Sequence, residues 1–160
     1  MALDLKGKLS GRFAARLTSQ FGSWVAVAGD LDLPNLERVP APGKWSARQH
    51  LAHLARIHEV YGKRIDSILS EGAPALPAYR AENDPDWPSW DRLPVGEVFE
   101  RARRLRSRMI DQILPLTDLD LARIGVHGRL GPLPLSLWLE FFLSHEGHHL
   151  YEILKLVREP

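Results

Sequence analysis

Three of the seven histidines fall in one short segment, His145, His148 and His149. On a helix, residues four apart lie one turn apart on the same face. His145 and His149 can therefore turn their rings toward one ion. A third imidazole, His53, sits with Leu54 and Ile57 on the inner stripe of a different amphipathic stretch. An inward imidazole needs a partner, because an unpaired buried polar group is costly. A divalent metal held by His53, His145 and His149 supplies one. The chain has no cysteine, so disulfides and thiolate ligands are excluded and any metal site is built from His, Asp and Glu. A lone His53 reads more naturally as a satisfied core residue; three converging histidines do not. His148 lies about 100° around the helix from His149 and points beside the site or to the surface. His50 and His58 read as mouth or surface residues. His127, in a glycine-rich loop, can approach the site.

Two carboxylates fall close to these ligands. His145-Glu146-Gly147-His148-His149 satisfies the H-E-x-x-H pattern of zinc proteases, in which the glutamate activates a water. The extended form of that motif requires glycine at 152 and histidine at 155, and the chain has Glu152 and Lys155. The sequence also lacks a strand of useful length to align an extended peptide. The protease reading is therefore set aside. Glu146 and Glu152 stay as candidate catalytic carboxylates.

The ligands must be positioned by helices. Apolar residues at spacings of three and four predict helices over roughly Leu9–Gly29, Ser46–Leu69, Val95–Leu114 and Pro134–Val157. Ser46 with Gln49 has the spacing of a capping box, and proline is favoured early in a helix. The stretch Glu71–Pro94 carries five prolines together with Trp87 and Trp90. It reads as a long crossover between the second and third helices that packs its tryptophans on the bundle. With no repeat or low-complexity tract, residues 1–160 are expected to form one all-α domain, a four-helix bundle.

Bulk properties narrow the function. A hydrophobic fraction of 44% and a charged fraction of 26% describe a globular chain with a core, and a net charge of +1 gives no global pull toward nucleic acid or anionic lipid. Arg101, Arg103, Arg104, Arg106 and Arg108 crowd the third helix. Glu97 and Glu100 precede Arg101 and Arg104 by four residues, which reads as a solvated, partly paired face rather than a nucleic-acid surface. The N-terminal twenty residues lack the apolar core of a signal peptide. Leu133–Leu143 is too short and interrupted to span a bilayer, so a cytoplasmic protein is expected. Apolar content in Leu133–Leu143 exceeds one inward stripe, which points to a homodimer.

The segment Pro42-Gly-Lys-Trp-Ser-Ala-Arg-Gln-His-Leu-Ala-His53 resembles the second-helix signature of the DinB/YfiT-like metal-dependent four-helix bundles, with Trp45 eight residues before His53. Gly131-Pro-Leu-Pro-Leu through His149 resembles the family's last helix. The order of elements and the length are similar throughout. The resemblance implies a three-histidine site for one divalent ion, Zn²⁺ or Ni²⁺ foremost, and frequent homodimers. It also implies relatives that transfer low-molecular-weight thiols such as bacillithiol, mycothiol or glutathione. Relatives often carry Gln-Ile where this chain has Glu152-Ile153, which would bring a carboxylate near the metal, and Pro134 replaces a usual threonine. Three histidines leave a coordination position open, the mark of a catalytic site. The leading expectation is a thiol transferase acting on an electrophilic small molecule. The alternatives are a metal-dependent hydrolase with Glu146 or Glu152 as base, and a non-catalytic, stress-related metal-binding bundle.

Overall fold

A computed structural model describes residues 11–158. Leu9 and Ser10 of the first expected helix, and the rest of the N-terminal segment, lie outside the described residues. Four helical limbs form the bundle: α1 (Gly11–Ser19) continued by α2 (Phe21–Ala28), then α4 (Ala47–Ser70), α6 (Val95–Ile113) and α8 (Leu135–Arg158). The single long first helix expected from the sequence is divided at Gln20, although that residue keeps helical dihedrals. A short α3 (Leu33–Glu37), capped by Asp32, sits inside the connector before α4. The Ser46 capping box forms as expected: Ser46 Oγ accepts from the Gln49 backbone at 3.2 Å, and Gln49 Oε1 accepts from the Ser46 backbone at 3.0 Å. The α4 helix is the central rod and packs against both α6 and α8.

The expectation of no useful strand is corrected. Three short strands, β1 (Ala75–Leu76), β2 (Ile124–His127) and β3 (Gly131–Pro134), form a small sheet in the order β1-β2-β3. The β1–β2 pair is parallel and β2–β3 is an antiparallel hairpin, followed at once by α8. Each strand is too short to show alternation, and β3 holds two of its four positions with proline. Proline has no ladder N–H to give, which suits this edge strand. Pro134 ends β3 rather than opening the helix, which starts at Leu135. Gly125 is required where it stands: a Cβ there would come within 2.9 Å of Trp138 Nε1, which donates to the Gly125 carbonyl at 3.2 Å.

The crossover between α4 and α6 is ordered by a buried ion-pair cluster. Arg56 of α4 donates to both oxygens of Asp84, at 2.7 and 2.9 Å, and also reaches Asp86 and Glu59. The Tyr79 hydroxyl donates to Asp84 as well, at 2.8 Å. Burial pushes the Asp84 carboxyl up, but the hydrogen bonds from Arg56 and Tyr79 outweigh it and hold it at about 2. A short helix α5 (Trp87–Asp91) follows. Trp90 is buried and Trp87 stacks on Trp45 with ring centres 5.3 Å apart. Both tryptophans pack on the bundle, as the sequence suggests.

The apolar core is in two parts. One contains Phe13, Leu17, Ile57, Tyr61, Ile65, Met109, Trp138 and Phe142. The other contains Trp24, Leu51, Leu54, Val98, Ala102, Leu150 and Ile153. Between them runs a polar layer drawn from every limb: Gln20, Trp24 Nε1, His53, His58, Arg106, His145, Glu146 and His149. Trp138, Leu139, Phe142 and Leu143 are all buried within the chain, against the first core, the hairpin and α7 (Asp118–Leu121).

Two residues of that layer correct the sequence reading. Arg106 is buried rather than part of the solvated face; the expected pairs of Arg101 with Glu97 and Arg104 with Glu100 do form, at 3.5 and 3.6 Å. His58, expected at the surface, is fully buried, with Nδ1–H donating to the Leu54 carbonyl at 2.7 Å. Burial, and the nearby Arg106 charge, push its pKa down from 6.5 to about 3. The unfolded chain therefore binds a proton that the folded chain refuses. Stability is full above pH 6.5 and falls as pH drops toward about 3, by roughly 1.4 kcal/mol per pH unit for each such histidine. Urea unfolding of the metal-free protein at pH 7 and pH 5 should show this loss, and a smaller one in His58→Phe. An equal pH dependence in the two proteins would contradict the assignment.

Candidate metal centre

The α4 helix supplies His53 and α8 supplies His145 and His149. The spacing of four on α8 brings the two rings to 4.5 Å between centres, and both face His53 across the bundle. His145 Nε2 lies 3.3 Å from His53 Nε2 and 3.2 Å from His149 Nε2. A ligand nitrogen from each residue falls within 4.8 Å of the others. Two nitrogens each about 2.1 Å from one tetrahedral ion are roughly 3.4 Å apart, so the spacing fits a shared ion.

Proton accounting supports the same conclusion. Burial comes first in pushing the His53 pKa down to about 3 and that of His145 to about 4, with neighbouring positive groups adding to it. Burial and the four imidazoles of His53, His145, His50 and His148 push His149 lower still. Neutral imidazole has one N–H and one lone pair. A proton on His145 Nε2 can serve only one of its two Nε2 neighbours, and without that proton a single lone pair must be shared by both. A cation accepting all three Nε2 lone pairs removes the conflict. Each Nδ1 then carries the proton. His149 Nδ1–H donates to His50 Nδ1 at 2.8 Å, whereas the buried Nδ1 atoms of His53 and His145 meet no acceptor among the described residues.

His50 is thus more than the mouth residue expected from the sequence: it orients a ligand, the role an outer hydrogen-bond partner plays at metal sites. Its helical position, three before His53, is the available signal. Trp45 closes the same side, with its ring 5.0 Å from His53 and stacked on His149 at 6.1 Å. Tyr79, from the crossover, packs its ring 5.5 Å from His53.

The two candidate carboxylates separate. Glu146 does not join the histidines. It is 1% exposed, and its carboxylate accepts from Trp24 Nε1 and Gln20 Nε2, both at 2.7 Å, and from Arg106. All these donors lie on α2 and α6 or at the junction of α1 with α2. The H-E-x-x-H match is therefore a coincidence of pattern: the glutamate is claimed by donors from other helices, although it lies only about 60° around α8 from His149. Glu152 lies in an open groove of about 640 Å³ beside Trp45, His50 and exposed His148, and it pairs with Lys155 at 2.9 Å. The hydrogen bond from Lys155 holds its carboxyl below the usual range. It is not one of the converging groups.

His127 lines an inner cavity of about 170 Å³ whose wall includes His145, so its expected approach to the site is realised through that cavity. The contact of His50 with His149 yields one prediction. Loss of an outer partner of this kind typically costs 10- to 100-fold in metal affinity. His50→Ala should weaken zinc binding by about that factor in chelator competition without abolishing it; unchanged affinity would contradict the orienting role.

The comparisons with known proteins agree with this fold. A candidate metal-dependent hydrolase of Oceanobacillus iheyensis is 24% identical over 131 residues, covering 81% of this chain and 74% of that protein. Among solved structures, YfiT from Bacillus subtilis, described as a candidate metal-dependent hydrolase with an unusual four-helix bundle topology, superposes with a TM-score of 0.80. The match covers 98% of this chain and 97% of YfiT at 20% identity, a likeness of fold. The family model of the DinB superfamily matches residues 16–153, from α1 to the ligand-bearing part of α8, and the chain belongs to that superfamily.

Proposed function

We propose that this protein is a metal-dependent enzyme that transfers a low-molecular-weight thiol to an electrophilic small molecule. The observation that carries the reading is the convergence of three imidazoles, one of which, His145, also lines a cavity, with no fourth ligand group converging on them among the described residues. His53, His145 and His149 would hold one divalent ion, zinc or nickel being the ions suited to an all-imidazole set. Such an ion, when bound, supplies Lewis acidity that makes a thiol or water nucleophilic at neutral pH.

The chain's own residues supply the rest. His50 fixes the ring of His149. Trp45, Trp87 and Tyr79 wall the site with aromatic surface and limit access of water. Glu146 is bound on both oxygens and takes no proton from a substrate. None of the residues lining the inner cavity is a carboxylate. A hydrolase would normally place a general base within hydrogen-bond reach of its water; a thiol loses its proton far more readily, with an unperturbed pKa near 8.5. That difference favours the thiol reading. Glu152 and Glu82, at the outer groove, are the carboxylates left to receive a proton there. A homodimer belongs to this reading too, with exposed Leu137, Tyr151 and Leu154 of α8 as the apolar surface for it.

Metal-dependent hydrolysis is the second reading, favoured by the description of both relatives. One experiment separates them. The zinc- or nickel-loaded protein is assayed for consumption of glutathione, bacillithiol or mycothiol with an aryl halide, and in parallel for cleavage of a nitrophenyl ester without thiol. The expected outcome is metal-dependent thiol consumption, lost in His53→Ala, His145→Ala and His149→Ala by at least about 100-fold, as for removal of a group essential to the chemistry. Ester cleavage alone would establish hydrolysis instead; neither activity would leave a binding bundle.

A further inference from the structure

The inner cavity differs from the rest of the surface in its inventory of polar groups. Besides His145, it is lined by Arg64, Arg129, His127, Tyr61 and Tyr79. Arg64 comes from α4, and Arg129 and His127 from the β2–β3 hairpin. The Arg64 guanidinium is laid against two rings, 5.2 Å from the Tyr61 centre and 5.3 Å from that of Trp138. It donates to the Pro77 carbonyl at 2.6 Å. Contacts with the Pro77 carbonyl and the Tyr61 side chain use part of its five N–H groups and leave the rest of the fork open. Among the described residues, neither Arg64 nor Arg129 forms an ion pair with a carboxylate. Arg48, Arg56, Arg101, Arg103, Arg104 and Arg106 all do.

His127 adds a third donor. Its Nδ1 accepts from the backbone N–H groups of Arg129 and Leu130, both at 3.1 Å. The ring proton therefore sits on Nε2, which can only donate. Asp84, the carboxylate lining a neighbouring cleft, is already engaged by Arg56 and Tyr79. The cavity thus offers donors and positive charge with no protein acceptor charge to match, at one wall of the histidine centre. Arg64, Ala78 and Tyr79 also line the neighbouring, wider cleft of about 490 Å³. A guanidinium fork matches a carboxylate in shape as well as charge.

We infer that Arg64 and Arg129, with His127, form a seat for a carboxylate of the small-molecule substrate, holding it so that its reacting group meets the three-histidine centre. The seat rests on the thiol-transfer reading and deepens it by giving the substrate a required charge. Its position beside His145 rather than at the outer groove also sets the side from which that substrate enters. The carboxylate belongs either to the thiol or to the electrophile, and one titration distinguishes them.

The zinc-loaded full chain is titrated calorimetrically with glutathione, with its diethyl ester and with succinate, in wild type, Arg64→Gln and Arg129→Gln. Succinate reports the anion seat without any thiol. It should bind wild type at millimolar concentration and lose about tenfold or more in each variant, in keeping with a charge-assisted bidentate contact, at unchanged zinc content. Glutathione bound at least about tenfold tighter than its ester places the carboxylate on the thiol; equal affinity of acid and ester, with succinate still bound, places it on the other substrate. Succinate binding without any thiol affinity would sink thiol transfer and leave the seat standing. No succinate binding, or binding unchanged in both variants, would overturn the seat. Should Arg64→Gln fail to fold, the same comparison is made with Arg129→Gln, whose side chain is exposed.

Discussion

The buried pair of Glu146 with Arg106 is the contact on which the site's geometry depends. Both side chains are almost completely excluded from water. An ion pair in that position tolerates no unpaired partner; removing one side of such a pair typically costs about 3–5 kcal/mol. Trp24 and Gln20 satisfy further lone pairs of the same carboxylate. These contacts fix the rotation of α8 about its axis. With Glu146 held toward α1, α2 and α6, His145 and His149 stand about 100° and 60° around the helix from it and face His53 of α4. The imidazole centre and the ion pair are two ends of one polar layer, and the apolar cores above and below keep water from the ion pair.

That layer explains why the sequence is legible in some places and misleading in others. His53, His145 and His149 can be found because their spacing and their place on inward stripes are local properties. The four limbs of the bundle follow from the same periodicity. Glu146 misleads because the H-E-x-x-H pattern describes spacing along a helix and does not say which neighbour claims the glutamate. Its partner, Arg106, lies forty residues away among arginines that really are solvated. His58 misleads for a related reason: a histidine whose Nδ1–H is satisfied by its own helix, at the Leu54 carbonyl, can be buried without any motif. The small sheet is hidden because strands of two and four residues carry too little pattern, and prolines in β3 argue against pairing. The seat at Arg64 and Arg129 depends on a crossover folded back by Arg56 and Asp84, a long-range contact with no sequence signal.

The layout also bears on how a small bundle makes a two-sided site. The three-histidine centre has a small cavity on the His145 side and a larger, more open groove on the His50 side. Aromatic rings from the start of α4 and from the crossover close the space between them. The inner side carries arginine and a neutral histidine donor; the outer carries Glu152, His148 and lysine. Such asymmetry suits a reaction with two different substrates, and it is built largely from segments outside the four principal helices. The bundle fixes the ligands, while the connectors determine what can approach them.

Everything rests on three imidazoles presenting Nε2 to one ion. X-ray absorption at the edge of the metal carried by the purified full chain reads that shell directly. The predicted result is one equivalent of metal with the scattering of three imidazole rings at about 2.0–2.1 Å, reduced to two in His53→Ala. A shell of oxygen ligands without imidazole scattering, or a chain that holds no stoichiometric metal when zinc or nickel is supplied, would contradict it.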